Sequence, residues 1–342
     1  MRLKKMAAGV VVVLGCTAGA HVLAGAADME VRNPYTQVDW AKTQRHRANL
    51  HTHTSASGGP HDPSDMIAAY RGRGYTVLAL TDHNRVTWPW TRYGMPPGDL
   101  GMVAVRAAEL IRNHHLGSYF SDYTGGADTL EAKLEAIAKA KGLAVLFHPG
   151  RYRNHAEWTL AWRAELYRNH DALVGMEVFN KANRYPTDLE LWDGLLTELM
   201  PDRPVWGFSN DDAYTMREVG RTWQTFFLES LTEERVREAM RRGQFVFSLS
   251  PRGRAPTVTA IETDAAAGTI RVRGEGQRAV IWTAHGKDVH EGEVLTLRAL
   301  APDTRYVRAR LESDEGATYT QPFGIVRKRM MKDENEGRGR SR

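Results

Sequence analysis

Cysteine is almost absent from this sequence of 342 residues: the only one is Cys16, so no disulfide can form within the chain. The serine-hydrolase pattern G-x-S-x-G and the glycine-rich loops of nucleotide-binding folds are also missing. Beyond Ala20, no apolar run approaches the roughly 20 residues that a membrane-spanning helix needs. These absences disfavour a disulfide-stabilised domain, a serine or cysteine nucleophile, and a transmembrane helix in the body of the chain.

Unbalanced charge is confined to the two ends of the chain. The formal net charge is +5; residues 1–26 carry +3 and residues 327–342 carry +4, which leaves −2 for the body between them. Because the body lacks the basic excess of nucleic-acid-binding proteins, we expect no nucleic acid partner. The segment 327–342 is interpreted as a basic, disordered tail.

The first 26 residues have the pattern of a secretory signal peptide. A positive start is followed by the apolar run from Met6 to Ala20, and Ala24-Gly-Ala26 offers a small-residue cleavage site. We therefore predict export to the periplasm or the extracellular space. The alternative is a lipoprotein anchored through Cys16, since Val13-Leu-Gly-Cys16 partly matches a lipobox.

Residues 47–250 alternate between apolar strand-like runs and helix-like segments, which predicts an α/β domain with a parallel sheet or barrel. The predicted strands cover 48–51, 76–80, 102–110, 144–147, 174–179 and 205–208. The predicted helices cover 63–73, 128–141, 157–169, 187–199 and 232–242. Residues 255–326 instead contain short alternating runs separated by turns, which predicts a small antiparallel β-sandwich-like domain.

Polar clusters follow five successive predicted strands of the α/β region. The clusters are His51-Thr-His53, Asp82-His83, Glu109 with His114 and His115, His148-Pro-Gly-Arg151, and Asp211-Asp212. Active sites of α/β barrels gather where the strands end, and histidine and carboxylate side chains are common metal ligands. The clusters therefore predict one shared metal site rather than separate core histidines.

These motifs resemble, in order, those of the PHP (polymerase and histidinol phosphatase) superfamily. The likeness covers residues 47–250 and includes His51-Thr-His-Thr54 and the run from Gly74 to His83. It implies a distorted (β/α)7 barrel that binds up to three divalent metal ions. The C-terminal region, ending in Thr320-Gln-Pro-Phe323, resembles the β extension of an exported branch that includes carbamate-cleaving metallohydrolases.

The resemblance also implies the metal ligands. His51, His53 and Asp212 would hold one metal ion, and Glu109 would bridge it to a second ion. His148 and either His115 or His114 would complete the second site. The even offset of six residues from Glu109 favours His115 if the strand continues, whereas a turn after Asn113 would leave His114 open.

The third metal position departs from the family pattern. The chain reads Ser57-Gly58-Gly59 and Asp212-Ala-Tyr214 where the family has further ligands, which leaves His83 alone. His61 is a candidate replacement from the nearby loop. We predict two divalent ions (Zn, Mn or Fe), with the third position empty or labile.

The predicted catalytic residues are Glu109 as the bridging carboxylate, His83 as a proton donor, Arg151 as an anion-binding residue, and Asp82. Asp82 either orients a ligand histidine or is a structural turn residue. Arg151 has an alternative role in a salt bridge, and Lys181 is a weaker anion-binding candidate. Glu177 is expected to support the end of its strand rather than bind metal.

The sequence therefore predicts an enzyme that hydrolyses a small-molecule phosphoester with metal-activated water. An amide or carbamate is the alternative substrate for the same metal site. A non-catalytic metal- or ligand-binding envelope protein is the alternative from another class.

Overall fold

The computed structural model describes residues 29–327. The predicted signal peptide with Cys16, and the predicted tail beyond Arg327, lie outside the described residues. The helices are α1 Pro63–Arg71, α2 Pro97–Leu100, α3 Leu130–Lys139, α4 Leu160–Asn169, α5 Asp188–Leu199 and α6 Glu233–Arg242. The strands are β1 Met29–Arg32, β2 Gln44–Asn49, β3 Tyr75–Leu80, β4 Val103–Leu110, β5 Leu116–Tyr119, β6 Leu143–Leu146, β7 Leu173–Asn180, β8 Trp206–Asn210, β9 Thr222–Leu228, β10 Phe245–Leu249, β11 Thr257–Asp264, β12 Thr269–Glu275, β13 Ala279–Ala284, β14 Lys287–Glu291, β15 Val294–Thr296, β16 Tyr306–Glu312, β17 Ala317–Tyr319 and β18 Phe323–Arg327.

One long sheet carries most strands, in the order β1-β18-β16-β17-β10-β9-β2-β3-β4-β5-β6-β7-β8. Strands β2, β3 and β4 run parallel to one another, as do β6, β7 and β8. Strand β5 is antiparallel to both of its neighbours, and β9 is antiparallel to β2 and β10. The predicted mixed α/β architecture is confirmed, but the alternation pattern does not predict the antiparallel strands β5, β9 and β10.

The sheet curves until β8 lies beside β9. Within residues 29–327 no continuous backbone ladder joins these two strands, and side chains connect them instead. Gln224 Nε2 of β9 donates to Ser209 O of β8 at 2.7 Å, and Ser209 Oγ donates to Ser248 O of the next strand, β10, at 2.8 Å. Beyond the strand ends, Thr52 forms a single parallel bridge with Ala213. The curvature therefore brings the chain after β2 next to the chain after β8.

The helices pack on this sheet through buried apolar faces. Helix α3 begins after Thr129, whose side chain accepts a hydrogen bond from Ala132 N at 3.1 Å. Helix α5 buries Trp192 and three leucines, and each buried leucine contributes roughly 2 kcal/mol. The indole of Trp192 also donates to Val205 O at 2.8 Å. Packing of this kind fixes the strands whose ends carry the polar clusters.

Strands β11, β12 and β15 form a second, three-stranded antiparallel sheet. It shares an apolar core with strands of the long sheet; Ile261 and Val272 pack in the same cluster as Trp282 and Leu311. This second sheet matches the small antiparallel β region that the sequence predicts. Strand β1 pairs with β18, so a segment from before the α/β region completes this part of the molecule.

The two regions are joined by backbone and side-chain contacts. Strand β17 pairs with both β10 and β16, which makes the long sheet continuous between them. Arg308 on β16 donates two hydrogen bonds to the carboxylate of Asp193 on α5, at 2.9 and 2.7 Å. None of the helices within residues 29–327 combines the length and apolar character needed to cross a membrane.

Candidate metal centre

His51 and His53 follow strand β2 and are fully buried. Their Nε2 atoms lie 3.2 Å apart. In an extended chain the side chains at positions i and i+2 lie on the same side, which brings the two imidazoles together. Because this two-residue repeat is local, the short motif was enough to predict that the side chains of His51 and His53 lie together.

Glu109, near the end of β4, lies at the middle of the cluster. Its Oε1 is 2.7 Å from His115 Nδ1 and 3.2 Å from His148 Nε2. Its Oε2 lies 3.2–3.4 Å from the Nε2 atoms of three further histidines, His51, His53 and His83. A single carboxylate therefore contacts five imidazoles, at the position where a bridging carboxylate is predicted.

Asp212, in the segment after β8, completes the cluster from the other edge of the curved sheet. Its Oδ1 lies 3.1 Å from His53 Nε2 and 3.4 Å from His51 Nε2. Among the described residues, groups of three whose donor atoms lie within 4.8 Å of one another are His51–His53–Asp212, Glu109–His115–His148, His53–His83–Glu109 and His51–His148–Glu177. The first two groups coincide with the two predicted metal sites.

The chemistry of these donors fits a divalent cation. His51 Nδ1 lies 2.8 Å from Glu177 Oε1, so in the neutral ring its Nε2 carries the lone pair. His53 Nδ1 lies 3.1 Å from the hydroxyl of Ser57, which leaves the His53 Nε2 lone pair facing the same point. Two nitrogen lone pairs 3.2 Å apart repel each other unless a proton or a cation lies between them. Imidazole nitrogens and carboxylate oxygens are the donors that zinc and similar ions take.

Glu177, on β7, supports the cluster from behind and was expected to support its strand. It accepts hydrogen bonds from His51 Nδ1 and from His148 N, both at 2.8 Å. The side-chain amides of Asn180 and Asn210 donate to it at 3.0 and 2.9 Å. A carboxylate in this position fixes the ring orientation of a ligand histidine and raises its basicity. The only sequence signal for it was an acid inside an apolar strand.

Asp82 is fully buried and lies behind the loop that contains Ser57. It accepts hydrogen bonds from Thr54 N at 2.8 Å, Thr54 Oγ1 at 2.7 Å and Ser57 Oγ at 2.5 Å, and also from the hydroxyl of Thr87. Ser57 in turn contacts His53 Nδ1. Asp82 therefore holds the turn at Ser57 and is linked through Ser57 to His53, a predicted ligand.

His83 is the most exposed imidazole of the cluster, with 29% of its side chain accessible. Its Nε2 lies 2.9 Å from the hydroxyl of Tyr214 and 3.2 Å from Glu109 Oε2. Tyr214, which stands where the resemblance implies a further ligand, thus contacts His83. His61 offers its backbone carbonyl to Ser55 N and belongs to none of the donor groups found among the described residues.

The structure places His115 in the cluster and turns His114 away from it. His115 Nδ1 lies 2.7 Å from Glu109, whereas the His114 ring packs against Tyr152 and Trp158. The argument from even spacing does not hold, because the strand ends at Leu110 and the chain reverses. His115 reaches Glu109 because β5 returns antiparallel to β4, with Glu109 opposite Gly117.

Arg151 follows His148 by three residues, and its side chain is exposed. Within residues 29–327 it forms no ion pair, so the alternative role in a salt bridge is not seen there, and its guanidinium carbon lies 5.9 Å from the ring centre of Tyr152. Lys181 differs, because its ammonium lies 3.3 Å from Glu218 Oε1 and 4.8 Å from the ring centre of Tyr214.

Charge within the metal-free cluster is balanced internally. Burial alone would lower the pKa of His51, but the negative charges of Glu177, Asp212 and Glu109 raise it well above its ordinary value. Burial would raise the pKa of Asp212, but the neighbouring His51 and His53 hold it below its ordinary value. Protons on the histidines thus compensate the carboxylates, and a divalent cation would replace those protons.

No protein-family model matches the chain, and no curated protein matches it. Similar solved structures include a two-domain protein from Bacteroides vulgatus containing a predicted PHP-like metal-dependent phosphoesterase (13% identity, 84% of this chain and 88% of that chain, TM-score 0.49). Others are an amidohydrolase from Chromobacterium violaceum (15%, 49% and 87%, 0.40) and the lesion-specific endonuclease PfuEndoQ from Pyrococcus furiosus (13%, 58% and 56%, 0.42). With TM-scores below 0.5, these likenesses carry no functional argument, and the function proposed below rests on the geometry of the site.

Proposed function

We propose that this protein is a metal-dependent hydrolase of the PHP type, built on a distorted (β/α)7 barrel, and that it cleaves phosphoesters. The observation that carries the proposal is the contact of Glu109 with five histidines, which joins the two predicted donor groups into one centre. A carboxylate that reaches two cation positions at once can hold the two ions of a binuclear hydrolase close together.

His51, His53 and Asp212 would hold one divalent ion, His115 and His148 the other, and Glu109 both. The ions supply Lewis acidity, which lowers the pKa of water and neutralises charge on the reacting oxygens. The chain's own residues orient the ligands: Glu177 acts on His51, and Asp82 acts on His53 through Ser57. The native metal is proposed to be Zn, Mn or Fe.

The residues around the centre are suited to an anionic ester. Arg151 is free to bind a phosphoryl oxygen with its planar donor fork. His83 is accessible and hydrogen-bonded to Tyr214, so it can deliver a proton from Nε2 to a leaving oxygen. The proposed substrate is a small molecule in an exported compartment, and an amide or carbamate is the alternative outcome of the test.

The test is elemental analysis and hydrolysis by the chain from residue 27, loaded with Mn or Zn. We expect about two ions per chain and turnover of p-nitrophenyl phosphate or its diester, both lost in His51→Ala. His290→Ala, which removes an exposed histidine of β14 far from the donor groups, is the matched control and should change neither.

Other results redirect the proposal. A count near three ions would contradict the labile third position. Two ions with turnover of a phenyl carbamate but not of the phosphoesters would favour the alternative bond. Absence of bound metal after supplementation would refute the enzyme and favour a binding protein.

A further inference from the structure

A polar cavity of about 400 Å³ lies beside strand β2 and contains no member of the metal centre. Five of its nine lining residues are arginines, and no carboxylate lines it. We call these five residues the arginine cavity: Arg47, Arg73, Arg217, Arg221 and Arg252. Arg47 precedes His51 by four residues, a span of about 13 Å along an extended chain.

None of these five arginines forms an ion pair with any residue of the described range 29–327, unlike Arg308, which pairs with Asp193. Their hydrogen bonds go to backbone carbonyls instead. Arg47 Nη2 donates to Gly220 O at 3.3 Å, and Arg73 Nη2 donates to Met216 O at 3.2 Å. Because a guanidinium has five N–H donors, many of the donors of these arginines remain unused. Their positive charge is not paired with a carboxylate within the described residues.

Asp211 is a carboxylate bound to the loop 215–221, between β8 and β9, and it does not compensate the charge of the arginines. Its oxygens accept hydrogen bonds from the backbone amides of Gly220, Arg221 and Thr222, at 2.7–2.9 Å. The hydroxyls of Tyr70 and Thr222 occupy its remaining lone pairs. The carboxylate therefore shapes the loop that carries two of the arginines and does not pair with their side chains.

Arg47 is held in place at the base of this cluster. Its guanidinium carbon lies 3.9 Å from the ring centre of Trp223 and 4.5 Å from that of Tyr75. Its Nε is buried and has no hydrogen-bond partner. A guanidinium fixed between two rings loses little freedom when it binds a ligand, so the Nη groups of Arg47 are held in place for one.

We propose that the arginine cavity binds a small, multiply charged phosphate compound, and that it does so independently of the metal centre. Planar guanidinium groups pair with phosphate oxygens through two parallel hydrogen bonds, and several converging arginines are typical of sites for phosphate groups. The arginines converge on one compact cavity instead of following a stripe across the surface, which favours a small anion over a nucleic acid backbone.

The test is calorimetric titration with inorganic pyrophosphate of the full chain and of its His51→Ala/His53→Ala variant, in which the metal centre is disabled. Binding should persist in that variant. Adding Arg217→Gln and Arg252→Gln, both exposed positions, should weaken binding at least tenfold. The control pair Arg92→Gln/Arg298→Gln removes the same charge outside the cavity and should leave affinity within about twofold.

Two kinds of result would overturn the proposal. Equal affinity with and without Arg217 and Arg252, or no binding at millimolar pyrophosphate, would show that the cavity is not a phosphate site. A single-stranded oligonucleotide that binds more tightly than pyrophosphate, through the same two arginines, would assign the surface to nucleic acid instead. Neither result depends on whether the metal centre is an enzyme.

Discussion

Two clusters of polar side chains lie near strand β2, and they differ in the kind of charge that they carry. After the strand, histidines and carboxylates converge with their lone pairs directed at each other. Beside the strand, five arginines converge without a carboxylate among them. The first cluster offers lone pairs and the second offers N–H donors and positive charge, a contrast that fits the cation proposed for the first and the anion proposed for the second. The predictions below test this contrast.

The largest expected effect is that of Glu109→Gln. The amide has no negative charge to share between two cations, so we expect the metal content to fall from about two ions to less than one and hydrolysis to be lost. Elemental analysis and turnover measure this. Glu293→Gln, an exposed acid next to β15, is the control, and retained metal in Glu109→Gln would show that the carboxylate is not the bridge.

Glu177→Gln is expected to weaken metal binding by about 10–100-fold, because it removes the charge behind His51 without removing a ligand. Titration with a competing chelator gives the affinity. Full occupancy should return at high metal concentration. If occupancy is never restored, Glu177 is itself a ligand, as the group His51–His148–Glu177 allows.

Asp188, at the start of α5, is a buried carboxyl whose Oδ1 has no hydrogen-bond partner. Burial, followed by the charge of Glu177, raises its pKa from 3.8 to about 8. The folded chain therefore holds a proton that the unfolded chain releases. Stability from this group is complete below about pH 4 and is lost as the pH rises to about 8, by at most about 1.4 kcal/mol per pH unit.

Denaturant unfolding of the chelator-treated protein at several pH values measures that slope. In Asp188→Asn the free energy of unfolding should depend less on pH. The difference in stability between variant and parent should therefore shift in favour of the variant from pH 5 to pH 8. An unchanged slope would mean that Asp188 is ionised in the folded chain and adds a negative charge near Glu177.

The smallest effect is expected for Arg47→Lys in the arginine cavity. The charge is retained, but the flat stacking between Tyr75 and Trp223 is lost, which should cost about 1 kcal/mol of unfolding free energy. Thermal unfolding without pyrophosphate measures the loss of stacking, and unfolding with pyrophosphate adds the effect of the substitution on anion binding. A stabilising effect of the substitution would mean that repulsion among the arginines outweighs the stacking.

The sequence predicted the parts of the metal centre that depend on local spacing. His51 and His53 share a side because they are two residues apart in an extended chain, and Asp212 and His148 each follow an apolar run. The approach of His115 to Glu109 depends on a reversal between β4 and β5, and the spacing argument assumed a continuing strand. Helix and strand positions agreed within a few residues, since apolar periodicity determines them.

The arginine cavity had no such signal. Its members come from positions 47, 73, 217, 221 and 252, so only the folded chain brings them together. The summed charge of −2 for the body concealed them, because the acids that balance the sum lie elsewhere. Net charge describes the whole surface and says little about any one cavity.

The seam between β8 and β9, where side chains replace a backbone ladder, would give the proposed metal ion a mechanical role. His51 and His53 follow β2, the neighbour of β9, and Asp212 follows β8, so an ion held by all three would cross-link the two sides of a seam that the backbone leaves almost unjoined. Metal binding would then complete the folding of this seam in addition to serving the proposed hydrolysis. Removing the ion would loosen the sheet at the seam before it loosened the other strands.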